Sequence, residues 1–185
     1  MRLQFNEKKA TQAACRFLHL AGARMNYMKL IKLLYMLDRS ALLEWGRPVT
    51  CDHFYSMKLG PVLSEVHDLI TEMRLPGEDS FWASHISEPS RWEVELKGDA
   101  GRDSLSEAEE EIIDSVWRKY GGYEPFLLVE LLHKTLPEWR EVTSGRVPLP
   151  YRDILAAGNK SPEDISMIEG ELESLASDYR VLAAH

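Results

Sequence analysis

Several groups of residues have types and spacings that bear on chemistry. Cys51, Asp52 and His53 are consecutive and include the usual ligands of a metal and the parts of a nucleophile with its base. Neighbours in an extended segment point to opposite faces, so the three cannot all converge on one atom. Cys15 and His19 stand four apart, a metal-compatible spacing on one helix face, but a zinc site needs further ligands that the surroundings do not offer. Ser64, His67 and Asp68 spell the members of a hydrolytic triad. Adjacent His and Asp on a helix point in different directions, and no nucleophile-elbow pattern surrounds Ser64. There is no phosphate-binding loop and no paired-histidine zinc motif. The expectation is therefore no catalytic residue, no metal and no cofactor.

Asp38 needs its own account, because it falls within an otherwise apolar helical pattern. A buried, unpaired carboxylate is costly, so it must reach water or find donors. Lys58 and Arg47 are the candidate partners, which would make Asp38 a tie between the helix and the Gly60-Pro61 loop. Partner contact, or acid chemistry with His53, are its alternative roles.

The element that carries Asp38 runs from Asn26 to Trp45. Leu30, Ile31, Leu33, Leu34, Leu37, Ala41, Leu42 and Trp45 recur at helical spacing, and Tyr27, Tyr35 and Met36 widen the stripe. Lys29, Lys32, Arg39 and Glu44 are left a narrow wet edge. A buried central helix is predicted, capped by Asn26 and ended by Gly46 and Pro48. Before it, residues 7–23 read as an amphipathic helix after a cap at Asn6, ended by Gly22. After it, residues 49–59 are rich in β-formers, and Pro61 pre-sets the first turn of a helix carrying Val62, Val66, Leu69, Ile70 and Met73.

Residues 75–90 lose periodicity and form a surface excursion. Trp92, Val94 and Leu96 alternate with polar residues as a strand, with Phe81 to Ile86 as its candidate partner across a short loop. Residues 97–104 read as a flexible turn. Ser106 and Glu109 make a capping box for a helix ending at Tyr120 before Gly121 and Gly122. A helix from about Pro125 has apolar residues on most sides and is expected to be buried. Tyr151 to Ala157 is a short helical segment, and Ser161, Pro162 and Asp164 start a long final helix. There Ile165, Ile168, Leu172, Leu175, Tyr179 and Leu182 form a heptad-like seam that serves either packing on its own domain or pairing with a second copy.

The fold class is therefore mainly α: one compact helical domain around a buried central helix, with a small β-hairpin or short strands and a long C-terminal helix. Residues 1–149 are taken as the main domain and 150–185 as a helical extension packed on it. The 185 residues carry 22 Lys and Arg against 30 Asp and Glu, a net charge of −8 that argues against nucleic acid or an anionic membrane and for a basic protein surface as partner. No secretory signal or membrane-spanning pattern is visible, and two cysteines do not make a disulfide framework, so the cytoplasm is the expected location.

Leu30 to Glu65 resembles the signature of the Panacea domain, the family of SocA-like antitoxins and phage-associated GepA-like proteins. The matching pieces are Lys32, Leu33, Leu34, Tyr35 and Asp38, then Gly46, Arg47 and Pro48, then Asp52, then Lys58, Gly60, Pro61, Val62 and Glu65. Leu105, Ser106, Glu107 and Glu109 resemble the helix start that closes the family's variable strand region. Leu59 departs from the pattern, where an aromatic residue is expected before the Gly-Pro pair. The resemblance implies a mostly helical cytoplasmic domain that neutralises a cognate toxin by binding it, is encoded beside that toxin, often on phage or mobile DNA, and in some members delivers it to a protease.

On that reading the partner-binding candidates are Tyr35, Asp38, His53, Tyr55, Lys58, Gly60, Pro61, Val62 and Glu65, with Phe81 and Trp82 as further aromatic anchors. A toxin protein is the expected partner, with a protease and a second copy, through the C-terminal helix, as further candidates. Two readings of other classes stand beside it: a small enzyme using Asp38 and His53, and a DNA-binding autoregulator, for which no helix-turn-helix beside a basic stripe is visible.

Overall fold

A computed structural model describes residues 3–72 and 80–183, with side chains of the last helix described as far as Asp178. The expected position of Met73 and the first part of the 75–90 excursion lie outside the described residues, as do the side chains of Tyr179 and Leu182. The chain is mainly α.

Helix α1 (Glu7–Leu20) starts where the Asn6 side chain accepts the Lys9 amide. Gly22 and Ala23 then turn the chain in the left-handed region into strand β1 (Arg24–Asn26). Helix α2 (Tyr27–Trp45) follows directly, its Asn26 cap accepting from the Met28 and Lys29 amides, and it stops at Gly46 with φ of 76°. A side chain at Gly46 would be strained by that φ and would press within 3.2 Å of Ile168 Cγ1. Helix α2 buries Leu30 to Asp38 without interruption, together with Ala41 and Leu42.

Strands β2 (Phe54–Met57) and β3 (Gly60–Leu63) form an antiparallel hairpin, with Phe54 opposite Leu63 and Met57 opposite Gly60. Helix α3 (Ser64–Thr71) begins only after β3. The expectation that Pro61 opens a helix is therefore corrected. Pro61 lies in the edge strand of the sheet, where a missing N–H costs no ladder bond. The pairing expected for residues 81–86 is corrected too. They form a short helix, α4 (Phe81–His85), because the Ser80 hydroxyl accepts the Ala83 amide and Glu7 accepts that of Trp82. Strand β4 (Glu93–Glu95) pairs instead with β1, Met25 opposite Val94, leaving only an isolated bridge from Ile86 to Leu96.

Helix α5 (Glu107–Tyr120) has the complete Ser106/Glu109 capping box. Helix α6 (Pro125–Thr135) buries Leu128, Val129 and Leu132 but leaves Phe126 and Leu127 exposed, against the expectation of burial on most sides. Strand β5 (Arg146–Pro148) adds to the far edge of β2. Helices α7 (Tyr151–Ala157) and α8 (Pro162–Ala183) complete the chain. From α8, Ile168, Leu172 and Ala176 enter the same apolar cluster as α1, α2 and α5, and Leu175 and Met167 stay exposed. Helix α2 packs on α1, α3, α5, α6, α7, β1 and β3, so most elements reach the core through it.

Candidate functional site

The C-terminal half of α2 meets the loop before β2 in a network of buried carboxylates. Asp38 accepts the Thr50 amide at 2.9 Å through one oxygen and the Thr50 hydroxyl through the other. Asp52 accepts three amides: His53 at 2.6 Å, Glu65 at 3.0 Å and Val66 at 2.9 Å. Helix α3 has no side-chain cap of its own, so Asp52, distant in sequence, satisfies the orphan amides of its first turn. Burial pushes Asp38 up to about 7 and Asp52 up to about 6, against the pull of these bonds. The Cys51 thiol is pushed up to about 11, chiefly by burial, which makes it inert as a nucleophile.

These bonds correct the expected partner of Asp38. It does tie α2 to a loop, but to Thr50 and not through Lys58 or Arg47 to the Gly-Pro turn. That turn is held by Lys32, placed on the wet edge by the sequence pattern yet fully buried, whose Nζ donates to the Pro61 carbonyl at 2.7 Å. Tyr35 is likewise enclosed. Its hydroxyl donates to Glu138, which also forms a buried pair with Arg39 at 2.5 Å. His67 and Asp68 do meet, at 3.2 Å, although adjacent helical residues were expected to diverge. Arg146 claims both Asp68 and the Ser64 hydroxyl, so no triad geometry results. No group of His, Cys, Asp and Glu suited to a metal occurs among the described residues.

Among the candidate partner-binding residues, Tyr35 and Asp38 have no solvent exposure. Gly60, Pro61 and Val62 are buried, His53 and Tyr55 half-buried, and Lys58 and Glu65 exposed. Tyr55 carries the Arg146 guanidinium over its ring at 5.5 Å. Trp82 is buried, and Phe81 half-buried against His85. Of the Asp38 and His53 pair, only His53 has solvent exposure.

The structure gathers Lys58, Gly60 and Val62 along an open cavity of about 740 Å³. It lies between the start of α2, the β2–β3 turn, the start of α6 and the residues before β4. Its rim carries the exposed apolar residues Leu59, Trp92 and Phe126; Trp92 is 70% exposed and Phe126 68%. Neither aromatic was among the sequence candidates. The sequence pattern puts Trp92 in a strand and Phe126 on a buried helix, whereas Trp92 precedes β4 and both side chains are exposed. The available signal for Phe126 was the excess of apolar positions on α6, more than one face of an 11-residue helix can bury.

Arg91 and Trp92 both have positive φ, 51° and 69°, a conformation that costs a bulky residue about 1–2 kcal/mol. It is held by the Tyr27 amide donating to the Trp92 carbonyl at 3.0 Å and by the Tyr27 ring stacked 6.0 Å from the indole. Strain spent on an exposed indole is a mark of a functional surface.

Residues 30–140 match the family model described as antitoxin SocA-like, Panacea domain. The chain belongs to the SocA-like antitoxin family. The matched span runs from α2 to the buried pair of Arg39 with Glu138, and so contains the carboxylate network, the β2–β3 hairpin and most of the groove. No curated protein and no solved structure matches the chain. Among the described residues no helix is long and apolar enough to cross a membrane.

Proposed function

We propose that this SocA-like chain is an antitoxin that neutralises a cognate toxin protein by direct binding, and that the toxin seats on the groove between α2, the β2–β3 turn and α6. The observation that carries this reading is the family match, which covers well over half of the chain. The groove supports the choice of surface, because it joins exposed Leu59, Trp92 and Phe126 around a concave, mostly apolar floor. Of the sequence candidates, Lys58 supplies direct contact. Gly60 and Val62 line the groove, and the Pro61 carbonyl holds Lys32 beside it. Tyr35 and Asp38 serve by holding α2 against its neighbours, and His53, Tyr55 and Glu65 flank the hairpin away from the groove.

The action is binding in the cytoplasm and not turnover. Residues 1–149 act as the antitoxin domain, with 150–185 as an extension on the same core, as the burial of Ile168, Leu172 and Ala176 supports.

The test is co-expression with the toxic protein encoded beside this chain. Wild type should restore growth, and Phe126→Asp should not, while remaining folded by circular dichroism. Following the toxin's lifetime in the same cells separates simple blocking from delivery to a protease. Loss of the toxin in rescued cells would point to delivery. Growth that is not restored by the wild type overturns the antitoxin reading.

A further inference from the structure

The groove contains a buried amine with no counter-charge among the described residues. Lys32 is 1% exposed and lines the cavity, yet its ammonium has one hydrogen bond, to the Pro61 carbonyl, for its three protons. None of the ion pairs among the described residues involves it. Its amine lies against Gly60, where a Cβ would come within 3.3 Å of Nζ and 3.2 Å of His133 Nε2. The His133 nitrogen is itself buried without a hydrogen bond, its ring stacked on Trp139 at 3.8 Å. A side chain at that position would crowd the amine and the imidazole together on this wall of the groove.

The remaining charges that line the cavity are Lys58 and Arg91, both exposed, and Glu93, which Arg24 pairs at 3.2 Å. In a chain of net charge −8, this groove thus gathers three basic side chains, Lys32, Lys58 and Arg91, against one carboxylate that is already paired. A buried, unpaired cation is costly, and a ligand that brings an anion removes that cost.

We infer that the groove receives a short apolar segment of the partner protein carrying one acidic side chain, whose carboxylate seats on the Lys32 ammonium while its apolar neighbours pack on Trp92, Leu59 and Phe126. This rests on the toxin-binding reading and adds the chemistry of the segment. It also runs against the expectation from net charge, which favours a basic partner: the acidic body repels the same surface that the groove accepts, so recognition is local. Without a partner, burial holds the Lys32 amine down to about 7, and a seated carboxylate must raise it again. The histidines near the cavity are His133 on α6 and His67 on α3, and their ring resonances are followed in the same experiment.

The probe is 4-phenylbutyrate compared with 4-phenylbutyramide, equal in shape and differing in charge. Saturable binding should favour the carboxylate at pH 6.5 by about tenfold, the scale of one charge-assisted bond. The Lys32 ε-carbon resonance should titrate at higher pH in its presence. In Lys32→Met the preference should vanish while both compounds still bind. If that variant does not fold, Lys58→Glu with Arg91→Glu, both surface changes, should reduce the preference several-fold, and the wild-type Lys32 titration decides. Equal binding of acid and amide, or a carboxylate that leaves the Lys32 titration where it was, overturns the inference. The antitoxin reading stands or falls separately, on growth rescue by the wild type.

Discussion

The two halves of α2 handle buried charge in opposite ways. At Asp38, both carboxylate oxygens are engaged by Thr50, and the adjacent Asp52 accepts three amides, so the charged groups are locked into the fold. At Lys32, roughly two turns earlier, a buried ammonium has one partner, opens on a large cavity and is ringed by exposed aromatic residues. Polar burial that is fully satisfied specifies structure; polar burial left unsatisfied beside an apolar groove is arranged for something that arrives later. Changes at the first region should therefore move stability, and changes at the second should move binding.

The largest effect expected is at Asp52. Asp52→Ala strands the amides of His53, Glu65 and Val66 and removes the one side-chain acceptor that the described residues place at the start of α3. A loss of about 3 kcal/mol is expected, or roughly 10 °C in the thermal midpoint. A melting curve unchanged within 2–3 °C, on the order of 1 kcal/mol, would mean that the network is not structural and that the contrast is misdrawn. Gly60→Ala comes next, at about 2 kcal/mol, because φ is 93° and the new methyl presses on Lys32 and His133. It sharpens the comparison, since it should also impair neutralisation by narrowing access to the amine.

The third effect is in pH. The native Lys32 amine titrates near 7 and the unfolded one near its ordinary 10.5, so between those values the unfolded chain binds one more proton. Stability contributed by this site must then rise with pH, by about 1 kcal/mol per unit across pH 7.5 to 8.5. Asp38 runs the other way. Its native carboxyl holds a proton to about 7 while the unfolded one loses it near 4, so its contribution falls between pH 4 and 7. Denaturant unfolding of wild type and Lys32→Met across pH 7 to 8.5 isolates the first slope. A stability difference between the two that does not change with pH would show that the amine stays protonated in the fold, its charge already compensated there.

Much of this could be read from local sequence, and the errors share a cause. The caps at Asn6, Asn26 and Ser106, the stop at Gly46 and the Ser161-Pro162 start of α8 are decided within a few residues, and the structure has them all. The misreadings are contacts made across the chain. Pro61 sits in a strand because β2 pairs with it, and α3 is capped from Asp52. Lys32 lost its wet edge because the hairpin folds over it. Phe81 to His85 became helical where Glu7 reaches the Trp82 amide. Periodicity located the buried stripe of α2 but not which of its polar residues the hairpin would cover. The groove's aromatic rim was hidden for the same reason: Trp92 and Phe126 look like core residues until the partners available to each are known.

The smallest effect on stability should accompany the largest effect on function, at Trp92. Replacing it with glycine relieves a left-handed conformation worth about 1–2 kcal/mol and gives up its stack on Tyr27, worth about 0.5–1.5 kcal/mol, so the two nearly cancel. The indole is 70% exposed, which leaves little further burial to lose. Trp92→Gly should thus unfold within about 0.5 kcal/mol of wild type and yet fail to restore growth beside the toxin, with Phe126→Ser behaving alike. A variant that melts normally and still protects cells would remove the rim from the interface. A variant that loses 2 kcal/mol or more would return Trp92 to the core, because the strain would then be outweighed by packing and would need no functional explanation.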